Sequence, residues 1–333
     1  MFLGGRMAIV VADIGGTHAR FAVAEEGVPP QLRHSVVVPT ATAPHLAGLL
    51  EAASAAGLGF SVHEAEGVVF AVAGAVQDGR AWLPNAGITV DARDPCLGGR
   101  RVMVINDFVA QAYATLHPEV VESCRVLHEG TPRSGPRAVA GAGTGFGACI
   151  LVPGQGQWIA LPTEMGHMPF PFLPGEQALQ ERILADGGEA ILDAVVSGPG
   201  LSRVHAWCTG EILAPAAVTA AISPTHPTCA AFARLYGRAL RALALMSLPV
   251  SGLFVAGGVA AKNPFVVQHP ALVEEFCSCR GYTALLAAIP VRLVTHPGAG
   301  LLGAAMAWVR RYHPSIFRVC VRSQENGSAG RRS

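Results

Sequence analysis

The stretch Ala8-Ile-Val-Val-Ala-Asp-Ile-Gly-Gly-Thr-His-Ala-Arg-Phe-Ala-Val-Ala24 decides the fold. Apolar and β-branched residues lie on both sides of Gly15-Gly16-Thr17, the pattern of two strands joined by a tight turn. A phosphate needs backbone N–H groups turned towards it at close range, and glycine permits that approach. Thr17 adds a hydroxyl donor. Asp13 would face the same space, where a carboxylate can hold Mg2+ through its waters. Taken alone, a glycine-rich hairpin is more often only a hairpin.

Two further turns change that balance. Ala138 to Val152 reads as a second apolar hairpin around Gly141-Ala-Gly-Thr-Gly-Phe-Gly147, and a strand from Leu253 to Ala256 runs into Gly257-Gly258. The segment Val11-Ala-Asp-Ile-Gly-Gly-Thr17 aligns with Val139-Ala-Gly-Ala-Gly-Thr-Gly145. That echo fits two related domains, each offering a hairpin turn to one ligand. The candidate phosphate residues are therefore Asp13, Gly15, Gly16, Thr17, Gly141, Gly143, Thr144, Gly145, Gly257 and Gly258. Lys262 is the only lysine and no GK[ST] surrounds it, so this is not a P-loop. Gly141 to Gly147 does not fit GxGxxG and leads into a strand, which argues against a dinucleotide turn.

Helical spacing runs through Pro44 to Ala56, Asn106 to Leu116, Ala230 to Ser247 and Ala299 to Tyr312. Short apolar strands fall at Gly67 to Ala73 and Val102 to Ile105, and Gly130 to Arg137 has loop composition. This alternation places the chain in the α/β class. Asp107 follows the strand Val102 to Ile105. A carboxylate there can accept a hydroxyl proton while Asn106 orients another hydroxyl, although both residue types also suit a helix N-cap. In Thr163-Glu-Met-Gly-His-Met-Pro169, Glu164 and His167 flank a glycine and can reach one ligand from a loop. Sugar hydroxyls both donate and accept, so Asn, Asp, Glu and neutral His suit them together. Two ligands without a third make a metal reading of this pair weak.

The chain has 333 residues, enough for two domains, with 51% hydrophobic and 14% charged residues. A net charge of +1 excludes a global field for nucleic acid or anionic lipid. Mean hydropathy is +0.39, so a membrane span must be weighed. The one uncharged stretch of spanning length, Ala242 to Ala261, is interrupted by Pro249, Ser251 and Gly257-Gly258. It reads better as a helix end, a turn and a buried strand. No signal peptide is visible and a strand is expected almost from Met7, which could itself be the start. The eight cysteines show no CxxC pair and are expected as reduced thiols in a cytoplasmic protein. Residues 321–333 read as a frayed, disordered tail.

The set Asp13-Ile-Gly-Gly-Thr-His-Ala-Arg-Phe21, Ile105-Asn-Asp-Phe108, Gly141-Ala-Gly-Thr-Gly145, Glu164-Met-Gly-His167, Ser197-Gly-Pro-Gly-Leu201 and Phe254-Val-Ala-Gly-Gly258 closely resembles the bacterial glucokinases. The motifs keep the family's order from Asp13 to Gly303, and their combination is specific although no single one is. The resemblance implies an α/β, two-domain actin-like or hexokinase (ribonuclease H-like) fold with a cleft between a small and a large domain. On that reading residues 1–117 with 296–320 form the small domain, and 118–295 the large one. It implies Asp107 as the base for the 6-hydroxyl of glucose. Asn106, Glu164 and His167 would hold other hydroxyls, with Asn85 near the sugar. The turns at Asp13–Thr17 and Gly141–Gly145 would cradle the ATP phosphates with Mg2+, and Gly257-Gly258 would lie beside the adenosine.

Some positions depart from the family pattern. Asp193 stands where the family has a sugar-binding Glu, one methylene longer, and is expected to bind the sugar, through water or with room for a bulkier one; His18 replaces the family's usual Asn. Both bear on sugar choice more than on reaction type. The nearest rival is a kinase for fructose, mannose or an amino sugar on the same fold. The related repressor and kinase group often carries a Cys-rich zinc motif beside its sugar histidine, and no cysteine lies near His167. A DNA-binding regulator would need a helix-turn-helix that is not expected before the first hairpin. A non-catalytic sugar sensor would be expected to lose Asp107 or a phosphate turn. A homodimer is the expected assembly.

Overall fold

The computed structural model describes residues 8–25 and 27–329. Met7, the expected first strand residue, lies outside them. The chain divides into two compact units: Met1–Ser123 with Pro153–Ala160 and His296–Ser333, and Cys124–Val152 with Leu161–Thr295.

In the first unit, β1 (Ala8–Ile14), β2 (His18–Glu25), β3 (Gln31–Pro39), β4 (Gly67–Val72) and β7 (Arg101–Asn106) form a sheet ordered β3-β2-β1-β4-β7. A separate hairpin joins β5 (Arg80–Leu83) to β6 (Ile88–Asp91). The opening segment is the expected antiparallel hairpin, β1 with β2. β1 then pairs in parallel with β4, and β4 with β7.

Period-two alternation assigns the two faces of this sheet. Val10, Ala12, Ile14, Val68, Phe70 and Val72 enter one core. Ile9, Val11 and Val69 enter another with Leu301, Ala304, Ala305 and Trp308 of the helix Ala299–Tyr312. Trp308 is buried, and a Cβ at Gly67 would collide with its indole, so glycine is what admits the ring. The same helix crosses the helix Asp107–Ala114 so closely that a Cβ at Gly303 would collide with the Ala110 carbonyl. Residues Pro153–Ala160 also belong to this unit, where the Tyr113 hydroxyl donates to the Trp158 carbonyl at 3.4 Å.

The second unit builds on β8 (Arg125–His128), β9 (Arg137–Ala142), β10 (Phe146–Gly154), β11 (Gln157–Thr163), β12 (Gly252–Ala256) and β13 (Val291–Leu293). Their order is β11-β10-β9-β12-β13-β8. The hairpin β9–β10 is antiparallel, whereas β12 runs parallel to β9 and β13. Helix Pro227–Ser247 contributes Phe232, Tyr236, Leu240 and Leu243 to the core under this sheet. Buried Arg238 on that helix is held by both oxygens of Glu176, at 2.6 and 3.0 Å, and by Glu275 at 2.9 Å. Its charge is thereby paired inside the unit, as burial requires.

The first five strands of each sheet follow the same order, so the sequence echo between Val11–Thr17 and Val139–Gly145 is an echo of topology. Ala242 to Ala261 resolves into the end of helix Pro227–Ser247, β12 and the helix Gly258–Lys262. Among the described residues no helix is long and apolar enough to cross a membrane. Of the tail, residues 321–329 continue the helix Pro314–Ala329, which corrects the disorder expected there, and residues 330–333 lie outside the described residues. The sequence pattern missed this helix because its polar end offers no apolar period.

Because Gly303 lets two helix backbones meet, Gly303→Ala should cost about 1–3 kcal/mol, the usual penalty for overpacking. Urea unfolding of the variant against wild type measures it. An unchanged midpoint would show that this crossing carries no such strain.

Candidate active site

Three parallel strands stop together in the first unit. Ile14 of β1 is level with Val72 of β4, and Val72 with Asn106 of β7. Ligands in open α/β sheets collect outside such carboxyl ends. Asp13 lies one residue before that edge and Asp107 one residue beyond it. Both continue the odd-numbered face of Ile9, Val11, Met103 and Ile105, the face covered by helix Ala299–Tyr312. A Cβ at Gly300, in the first turn of that helix, would lie 2.6 Å from Asp13 Oδ2.

The two carboxylates influence each other. Burial, and then the charge of Asp13, push the Asp107 carboxyl up from 3.8 to about 7. Asp13 is also raised, by burial, and only partly relieved by the Arg20 guanidinium at 3.7 Å. Arg20 sits opposite Asp13 in the β1–β2 register.

The choice between cap and base at Asn106-Asp107 divides between the two residues. Asn106 is the N-cap of helix Asp107–Ala114, its Oδ1 accepting from Phe108 N at 2.9 Å. Its Nδ2 donates to the Gly74 carbonyl at 3.1 Å. Asp107 begins the helix, and its Oδ1 also accepts from Phe108 N at 2.9 Å. One oxygen is oriented by the backbone, and the other can accept a substrate proton.

The turn after β1 is clamped rather than loose. Gly15 N donates to His18 O at 3.0 Å, Thr40 Oγ1 to Gly15 O at 2.9 Å, and Thr40 N to Thr17 O at 2.9 Å. Asn85, exposed in the turn between β5 and β6, lies against it: a Cβ at Gly16 would be 2.8 Å from Asn85 Cβ. The first unit therefore gathers Asp13, Gly15, Gly16, Asn85, Asn106 and Asp107. Thr17 and His18 are exposed at its rim. Sequence reasoning missed Arg20 and Gly300, whose roles depend on strand register and on a helix far along the chain.

The second unit gathers the remaining residues. The turn after β9 closes with Gly143 N donating to Gly145 O at 2.8 Å, and Thr144 stands exposed. The segment after Asp193 holds this turn, Gly198 N donating to Gly143 O at 2.8 Å. The turn ending β12 lies beside it. Gly257 has φ +88°, and a Cβ there would come 2.6 Å from the Ala142 carbonyl, so only glycine fits. Glu164 and His167 flank a short turn and are exposed, with His167 N donating to Glu164 O at 3.1 Å. Asp193 touches both neighbours: its Oδ1 accepts from Phe146 N, and a Cβ at Gly145 would lie 2.6 Å from its Oδ2.

Among the described residues no three His, Cys, Asp or Glu cluster as a metal cage. A desolvated carboxylate such as Asp13, with one guanidinium near it, does fit a cation that keeps its waters and takes further oxygens from phosphates.

Two sheets of matched strand order, each with a glycine-rich hairpin turn, are the architecture of the two-domain actin-like fold, in which sugar kinases form one class. A family model described as Glucokinase matches residues 10–311, and the chain belongs to that family. The glucokinase of Mesorhizobium japonicum is 34% identical over 342 residues, covering 94% of each chain. That of Caulobacter vibrioides is 31% identical over 317 residues, 90% of this chain and 94% of the relative. A solved glucokinase from an Antarctic psychrotroph superposes with a TM-score of 0.75 at 27% identity, over 90% of this chain and 97% of that one.

The raised Asp107 has a stability consequence whose sign is fixed. Its folded value, about 7, exceeds the ordinary 3.8, so the folded state binds the proton more tightly. The contribution is present below about 4 and is lost as pH rises through about 7. Asp107→Asn, which stays neutral, should therefore gain stability relative to wild type between pH 5 and pH 8. Unfolding midpoints at the two pH values test this, and an equal difference at both would refute the burial argument.

Proposed function

We propose that the chain transfers the γ-phosphoryl group of ATP to the 6-hydroxyl of glucose, giving glucose 6-phosphate and ADP. The carrying observation is Asp107, a half-buried carboxylate with a raised proton affinity at the strand edge that also bears the Asp13 hairpin. Asp107 accepts the hydroxyl proton as the sugar oxygen bonds to phosphorus and the bond to the ADP oxygen breaks. A base whose affinity lies near neutrality is well matched to that task. Phosphoryl transfer otherwise asks for positioning and charge stabilisation.

Asn85, Asn106, Glu164 and His167 hold the remaining hydroxyls. The turns Asp13–Thr17 and Gly141–Gly145 present backbone donors and threonine hydroxyls to the phosphates, and Gly257-Gly258 lies beside the adenosine. Asp13 would hold Mg2+ through water, and the ion would offset phosphate charge. We further propose a cytoplasmic homodimer.

A coupled ADP-release assay over a panel of hexoses, with and without Mg2+, tests the reading. Glucose should be preferred and Mg2+ required. Asp107→Ala should lower kcat by about 10²–10⁴-fold while glucose still binds, and near-normal turnover would sink the mechanism. Wild-type kcat/KM should fall about tenfold per pH unit below about 7, where Asp107 is protonated. The Asp107→Ala residual rate should lack that limb.

A further inference from the structure

We infer that Asp193 is a positioning residue that couples the sugar loop to the phosphate turn, not a ligand of the sugar; the inference rests on the function proposed above. The family pattern has a longer carboxylate here, and the shorter Asp193 is engaged on two sides within the second unit. Its Oδ1 accepts from Phe146 N, the residue that closes the turn Gly143–Gly145. Its Oδ2 lies against Gly145, where a Cβ would be 2.6 Å away. On the other side a Cβ at Gly166 would collide with Asp193 Oδ1 and the Phe146 carbonyl. Gly166 lies between Glu164 and His167, so the carboxylate is wedged between the loop that carries the sugar-binding pair and the turn that faces phosphate.

The backbone around Asp193 completes the connection. Ser197 Oγ donates to the Asp193 carbonyl at 2.6 Å and caps helix Gly198–Thr209 by accepting from Gly200 N at 3.0 Å. Gly198 N donates to Gly143 O at 2.8 Å. Residues 193 to 198 thus hold both ends of the phosphate turn, Gly143 through a main-chain bond and Phe146 through the Asp193 carboxylate. A shift of Gly166 when sugar binds Glu164 and His167 must move that carboxylate, and with it the Phe146 amide. Sugar occupancy is thereby read at the phosphates, as a coupling between two binding events.

Calorimetric titration of the full chain with AMP-PNP and Mg2+, with and without saturating glucose, tests the inference. In wild type, glucose should tighten nucleotide binding by roughly five- to tenfold, at the low end of such couplings. Asp193→Asn keeps an acceptor for Phe146 N and should retain that ratio. Asp193→Ala should bring it close to one, raise KM for ATP, and leave the ranking of hexoses by kcat/KM unchanged. Asp193→Glu restores the residue of the family pattern, and its unfolding midpoint is measured beside wild type to check the fold. Its longer carboxylate cannot keep the contacts with Gly145 and Gly166, and the ratio should again fall. Coupling retained in Asp193→Glu, or a changed hexose ranking in Asp193→Ala with nucleotide binding intact, would overturn the assignment. Binding is read without turnover, so a wild-type preference for another hexose would change only the sugar in the titration.

Discussion

The parallel register that ends β1, β4 and β7 on Ile14, Val72 and Asn106 is the constraint on which the first unit's chemistry depends. Backbone hydrogen bonds fix it, and the pleat then decides which side chains share a face. Asp13 and Asp107 follow apolar residues on that face, so both arrive at the sheet edge beside helix Ala299–Tyr312. A slip of one residue in either parallel pairing would send one of them to the opposite core. The glycines at 67, 300 and 303 serve the same arrangement, since each lets this helix approach a backbone or a carboxylate that any side chain would push away.

The two units share a strand order, but their hairpins differ in charge. Asp13 and Gly141 occupy matched positions, paired in parallel with Ala71 and with Ala256. A Cβ at Gly141 would collide with the Ala256 carbonyl, so the second hairpin cannot carry a carboxylate there. Its turn offers main-chain groups and Thr144, whereas the first adds the carboxylate of Asp13. The turns also differ in length. Ile14 and Ala19 flank the first, while Ala142 and Phe146 flank the second. One strand order thus yields one charged and one neutral edge.

Much of this was legible before any coordinates. The hairpins, the strand into Gly257-Gly258 and the helix Ala299–Tyr312 show the apolar runs and glycine punctuation that local sequence records well. The β5–β6 hairpin that brings Asn85 onto Gly16 was not legible, because Arg80–Leu83 is too short to reveal a period. Arg20 facing Asp13 needed the strand register, and Gly300 beneath Asp13 needed a contact between residues nearly three hundred positions apart in the chain. For Asp193 the sequence offered only a missing methylene. Which way the shortened carboxylate turns is set by Gly145, Gly166 and Phe146, and no spacing rule contains that.

Asn106 and Asp107 show how a structural need and a chemical one can share adjacent positions. A helix start demands a side-chain acceptor for its first amides, and an aspartate placed there would ordinarily be held ionised by the helix dipole. Here Asn106 takes the cap and Asp107 only shares the Phe108 amide. That hydrogen bond lowers the proton affinity of Asp107, yet burial and the neighbouring Asp13 outweigh it. The balance leaves a carboxylate about half ionised near pH 7 and more basic than an ordinary aspartate. An Asp107 set in solvent would be ionised more completely and would be the weaker base, because the same hydration that favours its charge also opposes proton capture. The raised proton affinity brings a loss of stability as pH rises towards and through about 7, and that loss falls on the residue proposed as the base.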